Sequence, residues 1–190
     1  MVGQPDLQEL TDALRDRTGR LRLPDPPVTR VRPGTLAAAV TVTPVELGRL
    51  LRSTSEVPEL VWSRAGSEIA VVIGKLGATT AEGGLVVTVP VQTEQTGAVD
   101  IQVPLAVGTT DRDAGLLAST SSQPLGPAVI VDRWGEAIVA LVWQSVLQVA
   151  IALAARAGND ARGDPLVPAS LRSGGDGFTV VPLARHRKVV

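Results

Sequence analysis

Residues 137–155, AIVALVWQSVLQVAIALAA, constrain the fold most, because they contain no charged side chain. A helix of this composition is apolar almost all round, so it has to be covered on more than one side. The cover can come from the core of one domain, from another subunit, or from a bilayer, which needs about 20 apolar residues. Gln144, Ser145 and Gln148 lie near the middle, and aromatic belts are absent from both ends, so the soluble environments are favoured.

The helix is predicted to run from about Asp132 to Arg156. In helical projection Gln144, Gln148 and Ala155 form only a narrow polar stripe, and apolar side chains cover much of the rest. Burial inside one chain is favoured, and completion of burial in an oligomer stays open. Since Trp is enriched at interfaces, the candidate self-association residues on this helix are Trp134, Leu141, Trp143 and Leu147.

Two strands before this helix show regular alternation of apolar and polar residues. The odd-numbered positions from Leu85 to Val91 and from Val99 to Val107 are aliphatic, whereas the even positions include Thr, Gln, Asp and Pro. This pattern predicts an antiparallel pair with one dry face and one wet face. Pro90 and Pro104 occupy the wet register, and proline cannot donate to a strand ladder. Two strands that follow each other in the chain cannot both be edges of a simple sheet, so we expect strong bending or a bulge near the prolines.

Shorter patterns predict the remaining elements. Thr43, Pro44 and Glu46 indicate the start of a helix that ends near Ser53 and buries Val45 and three leucines. Apolar runs predict four further strands: Thr35 to Val42, 67–76, 128–131 and a last strand, FTVVPL. Turn residues predict a hairpin turn at Ala65–Gly66, a turn over 77–84, a loop over 108–127 and turns between 159 and 178.

The sequence thus predicts an α+β fold, with a largely antiparallel sheet of about five to seven strands and one long apolar helix packed on it. Residues 35–183 form this single domain. Residues 1–34 are predicted to hold a short amphipathic helix over 5–18 on a Pro-rich extended arm, and residues 184–190 a basic tail.

Composition limits the chemistry. The chain has no Cys, no Tyr and a single His, His186, which lies in the basic tail without a visible carboxylate partner. We therefore predict no catalytic residue, no cofactor and no metal site, and the solvated tail is the ordinary place for such a histidine. A net charge of −1 provides no general attraction to nucleic acid. The N-terminus lacks a basic and apolar signal pattern, so a cytoplasmic location is expected.

Three kinds of function stay open. The preferred one is a non-enzymatic structural or interaction protein that self-associates into a homo-oligomer or a larger bacterial or phage-like assembly. The alternative is a carrier or sensor whose sheet and helix enclose an apolar, lipid-like ligand. The third is a divalent-metal enzyme, since loop carboxylates are hard-metal ligands: Asp111, Asp113, Asp160, Asp164 and Asp176. In the tail, Arg185, Arg187 and Lys188 form a cation cluster suited to an acidic partner.

Overall fold

The computed structural model describes residues 39–112, 114–115, 120–121, 123–160, 163 and 166–183. The predicted N-terminal helix and arm, residues 1–34, lie outside these ranges, as does the basic tail, residues 184–190. Both stay predictions from sequence. The structure therefore covers the predicted domain of residues 35–183, except for residues 35–38 and the gaps between the ranges given above.

Helices and strands follow one another along the described chain as β1 (Val40–Val42), α1 (Pro44–Arg52), β2 (Leu60–Arg64), β3 (Ser67–Val71), a 3-10 turn (Ile73–Lys75), β4 (Gly77–Ala81), β5 (Gly84–Thr93), β6 (Gly97–Ala106), β7 (Ala114–Gly115), β8 (Thr120–Ser121), α2 (Ala128–Arg156), β9 (Val167–Gly174) and β10 (Gly177–Leu183). Within the described ranges, the strands form one sheet of order β1-β10-β9-β7 and another of order β2-β3-β5-β6-β8, in which β4 also pairs with β5. Their pairing is antiparallel throughout. The predicted α+β class is confirmed, but the strands divide between two sheets where the sequence predicted one.

Backbone hydrogen bonds join the two sheets at one corner. The N–H of Gly83 donates to the carbonyl of Ser173 (2.9 Å), and the N–H of Gly108 donates to the carbonyl of Leu171 (3.0 Å). The buried hydroxyl of Ser173 donates to the carbonyl of Gly84 (2.8 Å). Buried side chains from both sheets and both described helices form one hydrophobic cluster. The described residues are therefore one structural unit around a shared core.

Strands β5 and β6 confirm the alternation. Their aliphatic residues at odd positions are buried, apart from the half-buried Val99, while Gln92, Asp100 and Gln102 on the other face are exposed. This dry face faces the core, to which β2 and β3 of the same sheet add Trp62, Ile69 and Val71. The hydrophobic effect thus sets the register, since a slip of one residue would turn every aliphatic side chain toward water.

The bulge expected at the prolines is absent between β5 and β6, which pair through Pro90 and Pro104 without a shift of register. The pairing is interrupted instead on the opposite edge of each strand. One edge of β5 pairs with β4 as far as Thr88 and with β3 from Val91, so Pro90 lies between the two partners. Its carbonyl still accepts the N–H of Val72 (2.9 Å). Pro104 lies on the far edge of β6, between the bridge at Gln102 and the pair with β8. Each proline thus stands where a neighbouring strand ends, and no ladder donor is lost.

Helix α2 begins at Ala128, earlier than the predicted Asp132. Residues 128–131, predicted as a strand, instead form its first turn. Pro127 has a φ of −57°, which suits a helix entry, and its carbonyl accepts the N–H groups of Ile130 (2.9 Å) and Val131 (3.0 Å). The buried Ile130 ties this turn to the core. Along its length α2 contacts α1 and strands of both sheets.

Helix α1 matches its predicted start. The hydroxyl of Thr43 accepts the N–H of Glu46 (3.3 Å), and the three leucines Leu47, Leu50 and Leu51 are buried. The expected burial of Val45 is wrong, because this side chain is 82% exposed. At 100° per residue Val45 lies about 160° from Leu47, on the opposite side of the helix.

Two further expectations are wrong for a common reason. Residues 77–81, expected in a turn, form β4, and residues 167–174, expected to be turn-rich, form β9. Both segments are rich in small or polar residues, and their strand conformation depends on pairing with β5 and β10. The strand predicted over 67–76 ends at Val71, because the chain then turns through the 3-10 segment and Gly74 N–H donates to the carbonyl of Pro58 (2.9 Å).

The turn at Ala65–Gly66 is confirmed. Its φ angles are 48° and 72°, both in the left-handed region, as in the turns that match the twist of a two-residue hairpin.

Candidate functional site

The side of α2 that points away from the sheets is a mainly apolar surface that the described core does not cover. It is formed by Ala140, Gln144, Leu147 and Ile151, whose spacing alternates between three and four residues and so follows one line along the helix. We call these four residues the outward face. Ile151 is 57% exposed, and the other three are half-buried. Covering a row of this kind with another apolar surface lowers the free energy, because apolar side chains leave water.

The opposite side of α2 is fully occupied by the core. Ile138, Val142, Val146 and Leu153 are at most 1% exposed. The buried hydroxyl of Ser145 accepts a hydrogen bond from Thr54 Oγ1 (3.1 Å), which follows α1. This bond satisfies a polar group that would otherwise be costly to bury. The core therefore fixes the rotation of α2, and with it the direction of the outward face.

The candidate self-association residues divide between core and surface. Trp134 is 2% exposed, and its ring centroid lies 6.4 Å from that of Trp62, so it belongs to the core. Leu141 and Trp143 are half-buried on either side of α2, and Leu147 is part of the outward face. The candidates of the tail, Arg185, Arg187 and Lys188, lie outside the described residues.

Sequence reasoning missed the most exposed member, Ile151, together with Ala140. The signal that would have found them is Gln144, because a glutamine does not suit an apolar core. Ala140, four residues before it, and Ile151, seven residues after it, share its side of the helix. Gln144 is half-buried within the outward face and Gln148 is exposed beside it, so the predicted polar stripe runs from the outward face to one of its margins. Apolar residues in line with these glutamines are the ones that the core does not cover.

Charged groups bound the outward face at both ends. Glu136 is exposed near its N-terminal end, and Arg156 closes α2 with its guanidinium 4.0 Å from the Glu46 carboxylate. A hydrogen bond from Arg49 to Glu46 (2.6 Å), helped by the positive charges of Arg49 and Arg156, holds the pKa of this exposed carboxyl below its ordinary value. Between these ends the surface is uncharged.

Two of the cavities that the described residues form adjoin α2. The first, of about 280 Å³, lies at its N-terminal end, where Glu68, Glu94 and Arg133 surround the apolar Val129 and Ile130. The guanidinium of Arg133 donates to the Ser67 hydroxyl at its rim. This lining suits a small polar molecule better than the lipid-like ligand of the carrier alternative.

The second cavity is a groove of about 220 Å³ between α1 and α2, beside the outward face. Its lining combines Leu50, Val149 and Ala152 with the polar Thr54 and Gln148. The groove extends the apolar surface of α2 sideways onto α1.

The loop carboxylates proposed for the enzyme alternative are placed only in part. Asp111 and Asp176 are exposed, Asp160 is half-buried, and Asp113 and Asp164 lie outside the described residues. Among the residues that the structure describes, no three His, Cys, Asp or Glu side chains are grouped so that they could hold a metal ion.

By length and composition, α2 could cross a membrane, and 44% of its most apolar window is buried inside the fold. A single such helix is weak support for a membrane protein, because the core helix of a soluble protein passes the same test.

Comparisons with known proteins give no relative, since no protein-family model, no curated protein and no solved structure matches the chain.

Proposed function

We propose that this protein is a non-enzymatic structural or interaction protein of the bacterial cytoplasm or of a phage-like assembly, and that it self-associates through the outward face of α2. The observation that carries the proposal is Ile151, which is 57% exposed in line with half-buried Leu147 and Ala140. Burial of such a row is the main driving force for association. Trp143 beside it adds the kind of side chain that most often dominates an interface.

A second copy is a better cover than a bilayer. The glutamines Gln144 and Gln148 lie on or beside the outward face, and a lipid environment offers no hydrogen-bond partner for their amides. The facing side of another protein can supply such partners. The basic tail, Arg185 to Lys188, is proposed as a separate contact with an acidic partner. The carrier and metal-enzyme alternatives stay predictions.

The first test is the mass of the wild-type chain in solution. We expect light scattering on a size-exclusion column, at micromolar concentration and without detergent, to give a defined multiple of the 19.7 kDa chain. A monomer would overturn the proposal. Protein that stays soluble only in detergent would overturn it in favour of a bilayer.

The second test removes the apolar contact. Ile151→Glu is expected to raise the dissociation constant about a hundredfold or more, because each interface would then bury unpaired carboxylates. The fold should persist, since Ile151 is 57% exposed within its own chain. Sedimentation velocity over a concentration series measures the constant, and circular dichroism checks the fold.

Leu125→Glu is the matched control. Leu125 is also 57% exposed, but it lies beside β6 and outside α2. This variant should associate like the wild type. Equal weakening by Leu125→Glu and Ile151→Glu would mean that the outward face is not the contact, whereas unchanged association of Ile151→Glu would place the contact elsewhere.

A further inference from the structure

We infer that the first cavity, beside the start of α2, binds a small zwitterion of the amino-acid class, with an ammonium group, a carboxylate group and a short aliphatic side chain. The cavity measures about 280 Å³. A cavity of about 150 Å³ already holds a molecule of the size of benzene, so there is room for such a ligand. The inference goes beyond self-association and does not rest on it, since the outward face begins at Ala140 and continues away from this end of α2.

The cavity lies where the pairing of β3 with β5 ends. The last pair of their ladder on this side is Ala70 with Gln92. In the same register Glu68 would lie opposite Glu94, and like charges directly opposite each other destabilise a sheet. The ladder ends before these two residues, and both line the cavity. Two carboxylates thus face a space that the ladder does not close.

The charged groups of the cavity belong to two walls. Glu68 lies in β3 and Glu94 directly after β5, whereas Arg133 lies in α2. Every ion pair between residues that the structure describes involves Glu46, so no ion pair joins Arg133 to either carboxylate. Opposite charges therefore face the same space without a close counterion. A ligand with an ammonium group at one end and a carboxylate at the other complements both walls.

The hydrogen bonds of these groups leave donors and acceptors for a ligand. The guanidinium of Arg133 donates to the Ser67 hydroxyl, and the carboxylate of Glu68 accepts from the Ser63 hydroxyl (3.0 Å). A guanidinium has several N–H donors and a carboxylate several lone-pair sites, so one hydroxyl partner uses only part of each. The same two bonds hold the charged ends of Arg133 and Glu68 in place at the cavity.

The apolar part of the lining selects the rest of the ligand. Ile130 and Trp134 are at most 2% exposed, and Val129 is 51% exposed. The ring of Trp134 packs beside that of Trp62, so this side of the cavity is fixed by the core. A short aliphatic side chain that covers Val129 removes apolar surface of both partners from water, which lowers the free energy. An apolar amino acid therefore fits better than glycine.

Three matched compounds test the two charged contacts. L-Leucine carries both charged groups, isopentylamine is leucine without its carboxylate, and isocaproate is leucine without its amino group. We expect leucine to bind the full chain at least about tenfold more tightly than either of the others, because each of these loses one charge-assisted contact. Isothermal titration calorimetry measures the three dissociation constants. Leucine that does not bind at millimolar concentration, or that binds no better than isopentylamine, would overturn the inference.

Two variants assign the contacts to their side chains. Arg133→Gln should remove the advantage of leucine over isopentylamine, and the double variant E68Q with E94Q should remove its advantage over isocaproate. All three side chains are exposed, so the fold should persist, which circular dichroism checks. A merely structural role of these residues would weaken all three compounds alike, and that result would overturn the assignment of charges.

The matched controls make the same changes of charge outside the cavity. They are Arg156→Gln, at the far end of α2, and E56Q with E59Q, in the segment before β2. Both should bind leucine like the wild type, and equal weakening in them would overturn the site. The outcomes are separate from those of the proposed function. An oligomeric wild type that does not bind leucine overturns only this inference, whereas a monomer that binds leucine overturns only self-association.

Discussion

Val146→Asp is expected to yield no soluble folded protein. Val146 is 0% exposed at the centre of the buried side of α2, between the sheets and α1. An unpaired carboxylate there loses its hydration and gains no partner, and the charged or protonated group costs several kcal/mol. Since a domain is stable by about 5–15 kcal/mol in total, this change removes most or all of the stability. Soluble yield, circular dichroism and thermal unfolding measure the effect.

Two variants separate charge from the other consequences of this change. Val146→Ala removes only apolar volume and should cost roughly 1–3 kcal/mol, with the fold retained. Gln148→Glu adds the same kind of charge at an exposed position two residues away, and should change stability by less than about 0.5 kcal/mol. A soluble Val146→Asp protein with a wild-type melting temperature would contradict the buried orientation of α2. Equal loss from Gln148→Glu would mean that Gln148 is also covered.

The alternation of apolar and polar side chains was sufficient to predict the central strands of the fold. In β5 and β6 each aliphatic position has one possible direction once the sheet covers a core, so the pattern fixes both the strands and their faces. The alternation concerns single residues and their own backbone, which is why the sequence was enough for these strands. For Pro90 and Pro104 the sequence predicted a bulge that is absent, because each missing donor faces away from the β5–β6 ladder, toward an edge where a neighbouring strand ends.

The errors occur where tertiary pairing decides the conformation. Residues 128–131 are a short apolar run, and periodicity cannot separate a buried strand from the first turn of a buried helix. In β4 and β9 the residues are small or polar, and their strands exist because β5 and β10 present free edges to them. Val45 was misplaced by grouping apolar residues without following their angles around the helix.

The sequence predicted the helix that carries the candidate site, but it did not predict which side chains of that helix are exposed. An almost wholly apolar α2 has no polar side from which its orientation could be deduced, so the sequence could not say that Trp134 belongs to the core and Ile151 to the surface. The contacts with two sheets and α1 supply that orientation. The two glutamines are the local exception, since they lie along the margin that the core leaves open.

Gly177→Ala is expected to be the most damaging change outside the buried helix. Gly177 begins β10 with a φ of 147°, which L side chains rarely adopt, and an added Cβ would overlap the carbonyl of Val42. Val42 is the last residue of β1, which pairs with β10 next to this point. The strained backbone and the overlap each cost about 1–3 kcal/mol. Either β1 separates from β10 or the β9–β10 turn changes its path.

The measurement is the melting temperature, which should fall by roughly 10 °C for a chain of this length. Gly175→Ala in the same turn is the matched control, because its added Cβ meets no atom within 4 Å and its φ lies outside the left-handed region. It should melt within about 2 °C of the wild type. If Gly177→Ala melts like Gly175→Ala, β10 does not approach Val42 as closely as described, and the edge of the four-stranded sheet is wrong. If both variants melt far below the wild type, the whole turn tolerates no side chain, and the loss does not depend on the contact with β1.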